Sequence, residues 1–411
     1  MSEMNKVSVC EITHKELVEV IERSYEAKGS LFVQGKIGIG KSDSTRQACR
    51  NLALKHKMEF IETKSPNEHP DKFVLCDIRL AQKDAGEILG LPETYVLLST
   101  KIDEDRERLE LIPLKIYTDM TTKKDARIVD YCTKWSMPSW YPRQGRGIIF
   151  IDEFNLAPPL VQYAMYELIN DRCLGDYTLP DGWSIVGAGN RGTIDGSPVF
   201  DFPAPLNNRF MWYELKQPAL EEWTEWAMNN GIDYRIITFL QTKRSALYTF
   251  DYKHKEKAFA TPRSWTKASK MIKDIDDERK IDLFISGVIG TYLAGEFKAF
   301  LQARRQLPPT EKYIKDPYNI AIPEKDDLLY TLCCNLVEYF IAKKDKKTEG
   351  VETLRSITVI ADRLWKHQKK MEFTVFLLKL IKISDQKFFA TNIIGLKEFT
   401  DLAVPIKKYL F

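Results

Sequence analysis

The stretch that decides the fold of this chain reads Leu31-Phe32-Val33-Gln34-Gly35-Lys36-Ile37-Gly38-Ile39-Gly40-Lys41-Ser42. A short apolar run leads into Gly-x-x-x-x-Gly-Lys-Ser, and a helical pattern follows from Asp43. This order is the sequence form of a P-loop, a glycine-rich turn that joins a β-strand to an α-helix. A glycine-rich turn without a ligand is the plainer alternative, but the context of strand, loop and helix favours a phosphate-binding site.

Each residue type in this turn suits the binding of a phosphate chain. Glycines at three loop positions let backbone N–H groups point at the phosphates, and the helix that follows presents its positive end to the anion. Lys41 would reach the β- and γ-phosphates, and the Ser42 hydroxyl would coordinate Mg²⁺. The residues predicted to bind the nucleotide are therefore Gly35, Lys36, Ile37, Gly38, Ile39, Gly40, Lys41, Ser42 and Asp43.

Length and composition set the outer limits of the interpretation. A chain of 411 residues is long for one core, so we expect two or three domains. The net charge of +3 gives no global electrostatic case for nucleic acid. Seven scattered cysteines without a Cys-x-x-Cys pair favour free thiols in a reducing compartment, and five dispersed histidines give little support to a zinc site.

The sequence has no feature that directs it to a membrane. The polar start, Met1 to Cys10, lacks the apolar core of a signal peptide. No apolar run approaches the roughly 18 residues that a membrane-spanning helix needs. We therefore expect a soluble protein of the cytoplasm that makes no contact with a membrane.

Strand and helix patterns alternate over the first half of the chain. A capping box at Thr13 and Glu16 predicts the start of a helix, and Thr45 to His56 is a second helical pattern. Besides the strand before the P-loop, strands are predicted at Glu59–Glu62, Phe73–Ile78, Gly147–Asp152, Trp183–Ala188 and Phe210–Leu215. The alternation predicts an α/β fold with a parallel five-stranded sheet that helices cover on both faces.

One segment interrupts this alternation. Tyr95 to Thr100 and Leu109 to Tyr117 are β-prone runs on either side of the charged segment Lys101 to Arg108. They predict a β-hairpin insertion over about residues 95–117 with a charged tip. The segment Trp135 to Pro142, rich in Trp, Pro and Tyr, is expected to be a loop.

Strand patterns vanish after Pro218, and amphipathic helical patterns take their place. The sequence therefore predicts three parts. Residues 1–216 would form the α/β nucleotide-binding core, residues 217–305 an α-helical lid, and residues 306–411 an all-α C-terminal region.

Two acids at the end of a predicted strand supply the other groups that hydrolysis of a nucleotide phosphate needs. Asp152 would bind the metal with its water shell, and Glu153 would act as the general base that activates the attacking water. The alternative is a solvated strand end before a helix N-terminus, where acids are favoured anyway. Because the P-loop and the acidic pair occur together, the catalytic interpretation is the stronger one.

Three further residues are candidates for the reaction. Asn190 follows a predicted strand and would hold the attacking water, although a turn-forming Asn after glycine is the alternative. Arg209, just before the last predicted strand, would reach the γ-phosphate of a neighbouring subunit as an arginine finger, or else form a surface salt bridge. Arg263 starts a predicted lid helix and would bind phosphate from above; a surface arginine at a helix start is its alternative.

These motifs, in this order, resemble the AAA+ ATPases. They are the P-loop, Phe-Ile-Asp-Glu up to position 153, Gly-Ala-Gly-Asn-Arg up to position 191, Leu-Asn-Asn-Arg-Phe up to position 210 and Thr-Pro-Arg-Ser-Trp up to position 265. The phrases Ile151 to Ala157 and Tyr177 to Trp183 are similar to the MoxR-like, dynein-related branch. The resemblance covers about Leu17 to Ala303, and Pro308 to Phe411 lies outside it.

The resemblance implies an enzyme that hydrolyses ATP with Mg²⁺. It identifies Lys41 and Ser42 as Walker A, Asp152 and Glu153 as Walker B, Asn190 as sensor 1, Arg209 as the trans-acting finger and Arg263 as sensor 2. It also implies a homo-oligomer, a hexameric ring, that remodels or activates a partner protein, often one with a von Willebrand A domain. In this branch an insertion between Walker A and Walker B tends to face the pore, whereas the sequence of the hairpin fits a simple sheet edge equally well.

Two other functions remain open at the level of the sequence. A nucleic-acid-associated motor on the same fold has local support from the charged hairpin tip and from Arg304-Arg305. A nucleotide-gated scaffold that barely hydrolyses is the other alternative, and the complete set of catalytic residues speaks against it. The preference for ATP over other nucleotides rests on the resemblance, although the guanine-binding motif Asn-Lys-x-Asp is absent from the sequence.

Overall fold

The computed structural model describes residues 9–103, 106–119, 126–196, 199–253, 256–304, 307–366, 369–393, 395–400 and 402. The chain divides into two compact units, Met1–Gln217 and Pro218–Phe411. The P-loop and the acidic pair both belong to the first unit.

All strands among the described residues lie in the first unit. In chain order they are β1 (Cys10–Ile12), β2 (Ser30–Gly35), β3 (Phe60–Glu62), β4 (Phe73–Arg79), β5 (Pro92–Asp103), β6 (Arg106–Pro113), β7 (Ala126–Trp135), β8 (Arg146–Asp152), β9 (Cys173–Leu174), β10 (Tyr177–Thr178), β11 (Trp183–Gly189) and β12 (Met211–Leu215). The helices of this unit are α1 (His14–Glu26), α2 (Lys41–Lys55), α3 (Ala85–Leu89), α4 (Leu114–Asp119), α5 (Pro159–Ala164), α6 (Tyr166–Asp171) and α7 (Ala204–Asn207).

The main sheet has seven parallel strands in the order β1-β12-β2-β11-β8-β4-β3, so the prediction of a five-stranded sheet was wrong. The edge strand β1 is the one that the sequence pattern does not indicate. β3 is predicted at Glu59–Glu62, so the count of five is already one below the six strands that the pattern predicts. β1 has three residues, too few to show a strand pattern reliably in the sequence. β1 exists because its neighbour β12 offers an open edge, with Cys10 opposite Tyr213 and Ile12 opposite Leu215.

Helices cover both faces of this sheet, as the alternation predicts. On one face α1 and α2 pack together, and α2 contacts β4, β8 and β11. On the other face, α5 and α6 contribute Val161 and Leu168, respectively, to a buried cluster, and Met165 joins it from between the two helices. The sheet contributes Ile149 of β8 and Ile185 of β11 to the same cluster. A parallel sheet needs this double cover because its strands are apolar on both sides.

The start of α1 confirms the predicted capping box. The Thr13 hydroxyl accepts a hydrogen bond from the backbone N–H of Glu16 at 3.3 Å. In return, the Glu16 carboxylate accepts one from the backbone N–H of Thr13 at 2.7 Å. Two N–H groups that the helix cannot satisfy internally therefore have partners.

A separate three-stranded antiparallel sheet has the order β6-β5-β7. β5 and β6 pair within the region where the hairpin is predicted, and β7 lies on the other side of β5. The sequence pattern does not indicate β7, whose last residue is Trp135, so the loop predicted from Trp135 begins one residue later. Residues 104 and 105 of the predicted charged tip lie outside the described residues.

The described residues of the second unit are helical or irregular, and no strand occurs among them. The helices are α8 (Leu220–Asn229), α9 (Tyr234–Thr242), α10 (Pro262–Ile272), α11 (Glu278–Ile289), α12 (Thr291–Arg304), α13 (Thr310–Lys315), α14 (Asp326–Lys343), α15 (Lys347–Lys366), α16 (Met371–Ser384) and α17 (Gln386–Ile393). One buried cluster spans Leu220 to Leu301 and a second spans Tyr313 to Leu402. Across the described parts of both units, no helix has the length and apolar character that crossing a bilayer demands.

Replacing the cap residue tests whether the capping box stabilises the first unit. Thr13→Ala removes the hydroxyl that caps α1, and we expect the free energy of unfolding to fall by about 1 kcal/mol. Thr13→Ser retains the hydroxyl and is the matched control, with little or no loss. Urea denaturation followed by circular dichroism measures both variants. Equal stability of the alanine and serine variants would show that the cap contributes nothing.

Candidate active site

The strand order brings the three sequence motifs to one edge of the main sheet. β11 pairs with β2 on one side and with β8 on the other, all in parallel. The carboxyl ends of β2, β11 and β8 lead into the P-loop, Asn190 and the acidic turn after Asp152, respectively. Since neighbouring strands lie about 4.8 Å apart, the three motifs are adjacent. Such an edge is where open α/β sheets bind ligands.

The P-loop has the backbone geometry that its glycines predict. Gly38 and Gly40 have φ values of 71° and 109°, a left-handed region that favours glycine. Gly40 caps α2 without a side-chain hydrogen bond, so the first N–H groups of the helix are directed toward the loop. The His14 imidazole braces the loop from α1, because its Nε2 lies 2.7 Å from the carbonyl oxygen of Ile39, to which it must donate.

Lys41 is buried and links the loop to the neighbouring strand end. Its Nζ donates to the carbonyl oxygens of Gly35 at 2.7 Å and Lys36 at 3.0 Å, and to Oδ1 of Asn190 at 3.5 Å. The predicted phosphate-binding amine and the predicted water-holding amide are therefore brought together. The side chain of Lys36, in contrast, donates to Gln217 at 2.9 Å and contributes to the loop through its backbone.

The remaining loop residues differ in exposure. Ile39 is buried, Ile37 and Ser42 are half-buried, and the exposed Asp43 forms an ion pair with Arg46 at 3.1 Å. Ser42 lies in the first turn of α2, at the carboxyl edge of the sheet. Asp43 points its charge at Arg46, so its predicted contact with nucleotide stays a prediction.

The acidic turn holds its second acid in an uncommon backbone conformation. Asp152 is the last residue of β8, and its Oδ1 accepts a hydrogen bond from the backbone N–H of Glu153 at 3.0 Å. Glu153 has a φ of 56°, which costs a non-glycine residue of the order of 1 kcal/mol. The next residue, Phe154, is fully buried and stacks on Phe202 at 5.0 Å. This packing anchors the turn that contains Glu153.

Asn155 is a polar residue of the site that the sequence interpretation missed. It follows the acidic pair in the turn Phe154–Leu156 and is only 6% exposed. Its Nδ2 donates to the carbonyl oxygen of Asn190 at 2.7 Å, and its Oδ1 accepts from the backbone N–H of Asn190 at 3.3 Å. The acidic turn is thus tied to the residue after β11. The sequence gives only a weak sign of this role, an Asn just beyond two acids.

Arg191 was also missed as a structural element of the site. Its guanidinium forms ion pairs with the buried Asp195 at 2.8 Å and with Glu214 of β12 at 3.3 Å. Glu214 in turn accepts a hydrogen bond from Gln34, just before the P-loop, at 3.2 Å. The segment after Asn190 is therefore anchored to β12 and, through Glu214, to β2, the strand that leads into the P-loop.

Ser42 and Asp152 are the residues at this edge that could hold a magnesium ion. The Ser42 hydroxyl and the Asp152 carboxylate are the hard oxygen donors that Mg²⁺ prefers. Asp77 of β4 lies on the same sheet face as Asp152, because Arg79 is opposite Asp152 and Asp77 is two residues before it. One oxygen of Asp77 is shielded from solvent and makes no hydrogen bond to a described residue. Burial, and then the negative charge of Asp152, raises the pKa of the Asp77 carboxyl above its ordinary value.

The two predicted arginines lie on exposed positions. Arg209 is in the turn between α7 and β12, where its backbone N–H donates to the carbonyl oxygen of Leu206. Arg263 is in the first turn of α10, which Thr261 caps by accepting from the N–H of Ser264 at 3.1 Å. Arg263 belongs to the second unit, and the roles of both arginines stay predictions. Of the basic pair at positions 304 and 305, Arg304 ends α12 and Arg305 lies outside the described residues.

Comparisons with known proteins add structural neighbours at low similarity. No protein-family model matches the sequence, and no curated protein matches it significantly. NtrX from Brucella abortus in complex with ADP aligns with 11% identity and a TM-score of 0.32, covering 96% of this chain and 68% of that one. Two mutant forms of RuvB from Thermotoga maritima align with 13% identity each, with TM-scores of 0.29 and 0.27. They cover 74% and 94% of this chain, and 76% and 82% of their own. The strand order and the loop geometry, rather than these alignments, define the fold.

The raised pKa of Asp77 predicts how the free energy of unfolding depends on pH. The folded state binds the Asp77 proton more tightly than the unfolded state, so the ionised carboxylate destabilises the fold at neutral pH. Asp77→Asn should therefore raise the free energy of unfolding at pH 7. The gain should shrink as the pH falls toward the ordinary carboxyl pKa of about 3.9. Urea denaturation across this pH range measures the effect.

Glu62 offers a matched control of opposite sign on the adjacent strand. Its hydrogen bond from Arg46 lowers the pKa of the Glu62 carboxyl. Glu62→Gln should therefore slightly reduce stability at pH 7, and the difference should vanish as the pH falls through the lowered pKa. A loss of stability in Asp77→Asn at pH 7 would contradict the assignment of Asp77 as a destabilising buried charge.

Proposed function

We propose that this protein is a Mg²⁺-dependent ATPase that resembles the MoxR-like, dynein-related branch of the AAA+ ATPases. One observation supports the proposal above the others. Lys41 bridges the P-loop carbonyls and Asn190, and the acidic turn that follows β8 lies at the next strand end. An amine for the phosphates, an amide for the water and a carboxylate base are what nucleotide hydrolysis at such an edge requires.

The proposed binding step uses the loop and the start of α2. Backbone N–H groups of the loop and the positive end of α2 would hold the phosphate chain. Lys41 would turn its Nζ from the carbonyls of Gly35 and Lys36 to the β- and γ-phosphates. Ser42 and Asp152 would hold Mg²⁺, directly or through its water shell. When bound, the ion neutralises the negative charge of the β- and γ-phosphates.

The proposed hydrolysis step uses the acidic turn and Asn190. The Glu153 carboxylate would accept a proton from the attacking water as its oxygen approaches the γ-phosphorus. The Asn190 side chain would orient that water. The distance of 3.5 Å between Oδ1 of Asn190 and Nζ of Lys41 supports this role.

The proposed assembly is a homo-oligomeric ring, for which the resemblance suggests six subunits. Arg209 is exposed in the turn before β12, and in the ring it would enter the site of a neighbouring subunit. Arg263, in the first turn of α10, would also bind phosphate. The ring would couple hydrolysis to the remodelling of a partner protein, and a von Willebrand A domain is the partner type that the resemblance suggests.

Removing the proposed base tests the proposal at its centre. Glu153→Gln keeps the size and hydrogen bonding of the side chain but cannot accept the proton. We expect ATP turnover to fall by about 100-fold or more. Binding of a fluorescent ATP analogue should persist within a factor of a few. Glu59→Gln, an exposed acid paired with Lys72, is the matched control and should leave both quantities unchanged. Undiminished turnover in Glu153→Gln would remove Glu153 from the mechanism.

Mixing two inactive variants tests whether neighbouring subunits share a site. Arg209→Ala should lower turnover by about 10³-fold if Arg209 is an arginine finger. Lys41→Ala should lose nucleotide binding. In a mixed ring, Lys41→Ala subunits still present Arg209 to the intact P-loops of their neighbours, so part of the activity should return. Mixtures as inactive as the separate variants would argue against an arginine supplied in trans.

A further inference from the structure

We propose that Asn155 is a positioning residue that fixes the distance between the acidic turn and Asn190, and through it the geometry of the attacking water. The catalytic part of this inference rests on the proposed function, whereas the positioning part rests on hydrogen bonds within the first unit. Asn155 would not touch the nucleotide. It acts through the backbone of Asn190.

The side-chain amide of Asn155 replaces a strand neighbour. Pairing between β8 and β11 ends with Ile151 opposite Gly187. Beyond that point the Asn155 amide satisfies both backbone groups of Asn190, donating to its carbonyl oxygen at 2.7 Å and accepting from its N–H at 3.3 Å. Only a primary amide offers a donor and an acceptor at this spacing. Asn155 therefore adds two hydrogen bonds that continue the pairing of β8 with β11 beyond the end of the strands.

The surroundings leave this amide little freedom. Asn155 is 6% exposed, and its own carbonyl oxygen accepts from the backbone N–H of Phe200 at 2.9 Å. A Cβ at Gly189 would lie 2.4 Å from Oδ1 of Asn155, a separation that no side chain tolerates. Residue 189 must therefore be glycine for the amide to reach Asn190. The contact between Asn155 and Asn190 therefore depends on both the Asn155 amide and the missing side chain of Gly189.

The contact between Asn155 and Asn190 connects the turn that contains Glu153 to Asn190, and Asn190 in turn contacts Lys41. Glu153 is two residues before Asn155, in a turn that the buried Phe154 anchors. Asn190 in turn reaches Lys41 at 3.5 Å. A shift of the Asn190 backbone would change the position of its side chain relative to both Glu153 and Lys41. Loss of the Asn155 amide should therefore impair turnover and leave nucleotide binding largely intact.

A double-mutant cycle separates positioning from a general structural role. Asn155→Ala should lower the turnover number by about tenfold or more, the size expected for one lost buried hydrogen bond. The dissociation constant of the ATP analogue should stay within about threefold, which the cycle requires for a clean comparison. In the Asn190→Ala background the same change should have no further effect on turnover. Full additivity of the two losses would overturn the inference.

Hydrogen exchange measured by mass spectrometry tests the contact without relying on hydrolysis. The backbone N–H of Asn190 should exchange faster in Asn155→Ala than in the wild type, because its acceptor is gone. Asn155→Leu keeps nearly the same size but loses both the donor to the carbonyl oxygen of Asn190 and the acceptor for its N–H. It serves as the second variant should the alanine variant fail to fold. Unchanged exchange around Asn190 in a folded variant would overturn the positioning role.

Gln162 provides the matched control. It is another fully buried amide of the first unit, and its Nε2 donates to the carbonyl oxygen of Ala157 at 2.9 Å. Gln162→Ala should lower the melting temperature without altering exchange at Asn190 or the turnover number. If the wild type hydrolyses no ATP, the proposed function fails, and the exchange data alone decide whether Asn155 positions Asn190. A Gln162→Ala variant that reproduces the Asn155→Ala profile would reduce Asn155 to a general stabilising residue and overturn the inference.

Discussion

The position of β11 between β2 and β8 is the constraint on which the candidate site depends. Because all three strands run in parallel, their carboxyl ends present the P-loop, Asn190 and the acidic turn at steps of about 4.8 Å. β11 can occupy this place only because two of its residues are glycines, which have no side chain. A Cβ at Gly187 or Gly189 would lie within 2.8 Å of the Phe32 ring, which packs across the strand from β2. Phe32 also contacts Phe154 and Phe202, so the same aromatic cluster holds the acidic turn.

The elements that the sequence predicts correctly are those whose cause is local. The capping box of α1, the glycine turn before α2 and the acids at the end of β8 each follow from neighbours within a few residues. β1 is missing from the predicted strands because it is defined by the open edge of β12, which lies far away in the chain. For the same reason Asn155 and Asp77 escape notice. An asparagine in a turn and an aspartate in a strand acquire meaning only from Asn190 and Asp152, 35 and 75 positions further along the chain.

The site holds several groups in states that oppose folding. Glu153 has left-handed backbone angles, Asp77 keeps a carboxylate oxygen away from water, and Lys41 is a buried amine. Each costs stability, and active sites are where such costs concentrate. The compensation is visible nearby. The Lys41 amine has carbonyl partners in the loop, Phe154 fills the core beneath Glu153, and the Asn155 amide satisfies both backbone groups of Asn190.

The ion pairs of Arg191, next to Asn190, bear on the proposed ring. Hydrolysis of the γ-phosphate builds negative charge that a single lysine offsets only in part. Arg191 is the nearest arginine in sequence to Asn190, yet its guanidinium is committed to Asp195 and Glu214, whose two carboxylates neutralise it. Freeing Arg191 would leave Asp195, which is 4% exposed, as a buried charge without its partner, an unfavourable exchange. In the proposed reaction, any additional arginine would therefore have to approach from outside this network. In the proposed ring, the exposed Arg209 of a neighbouring subunit would meet that condition without disturbing the ion pairs that anchor the segment after Asn190.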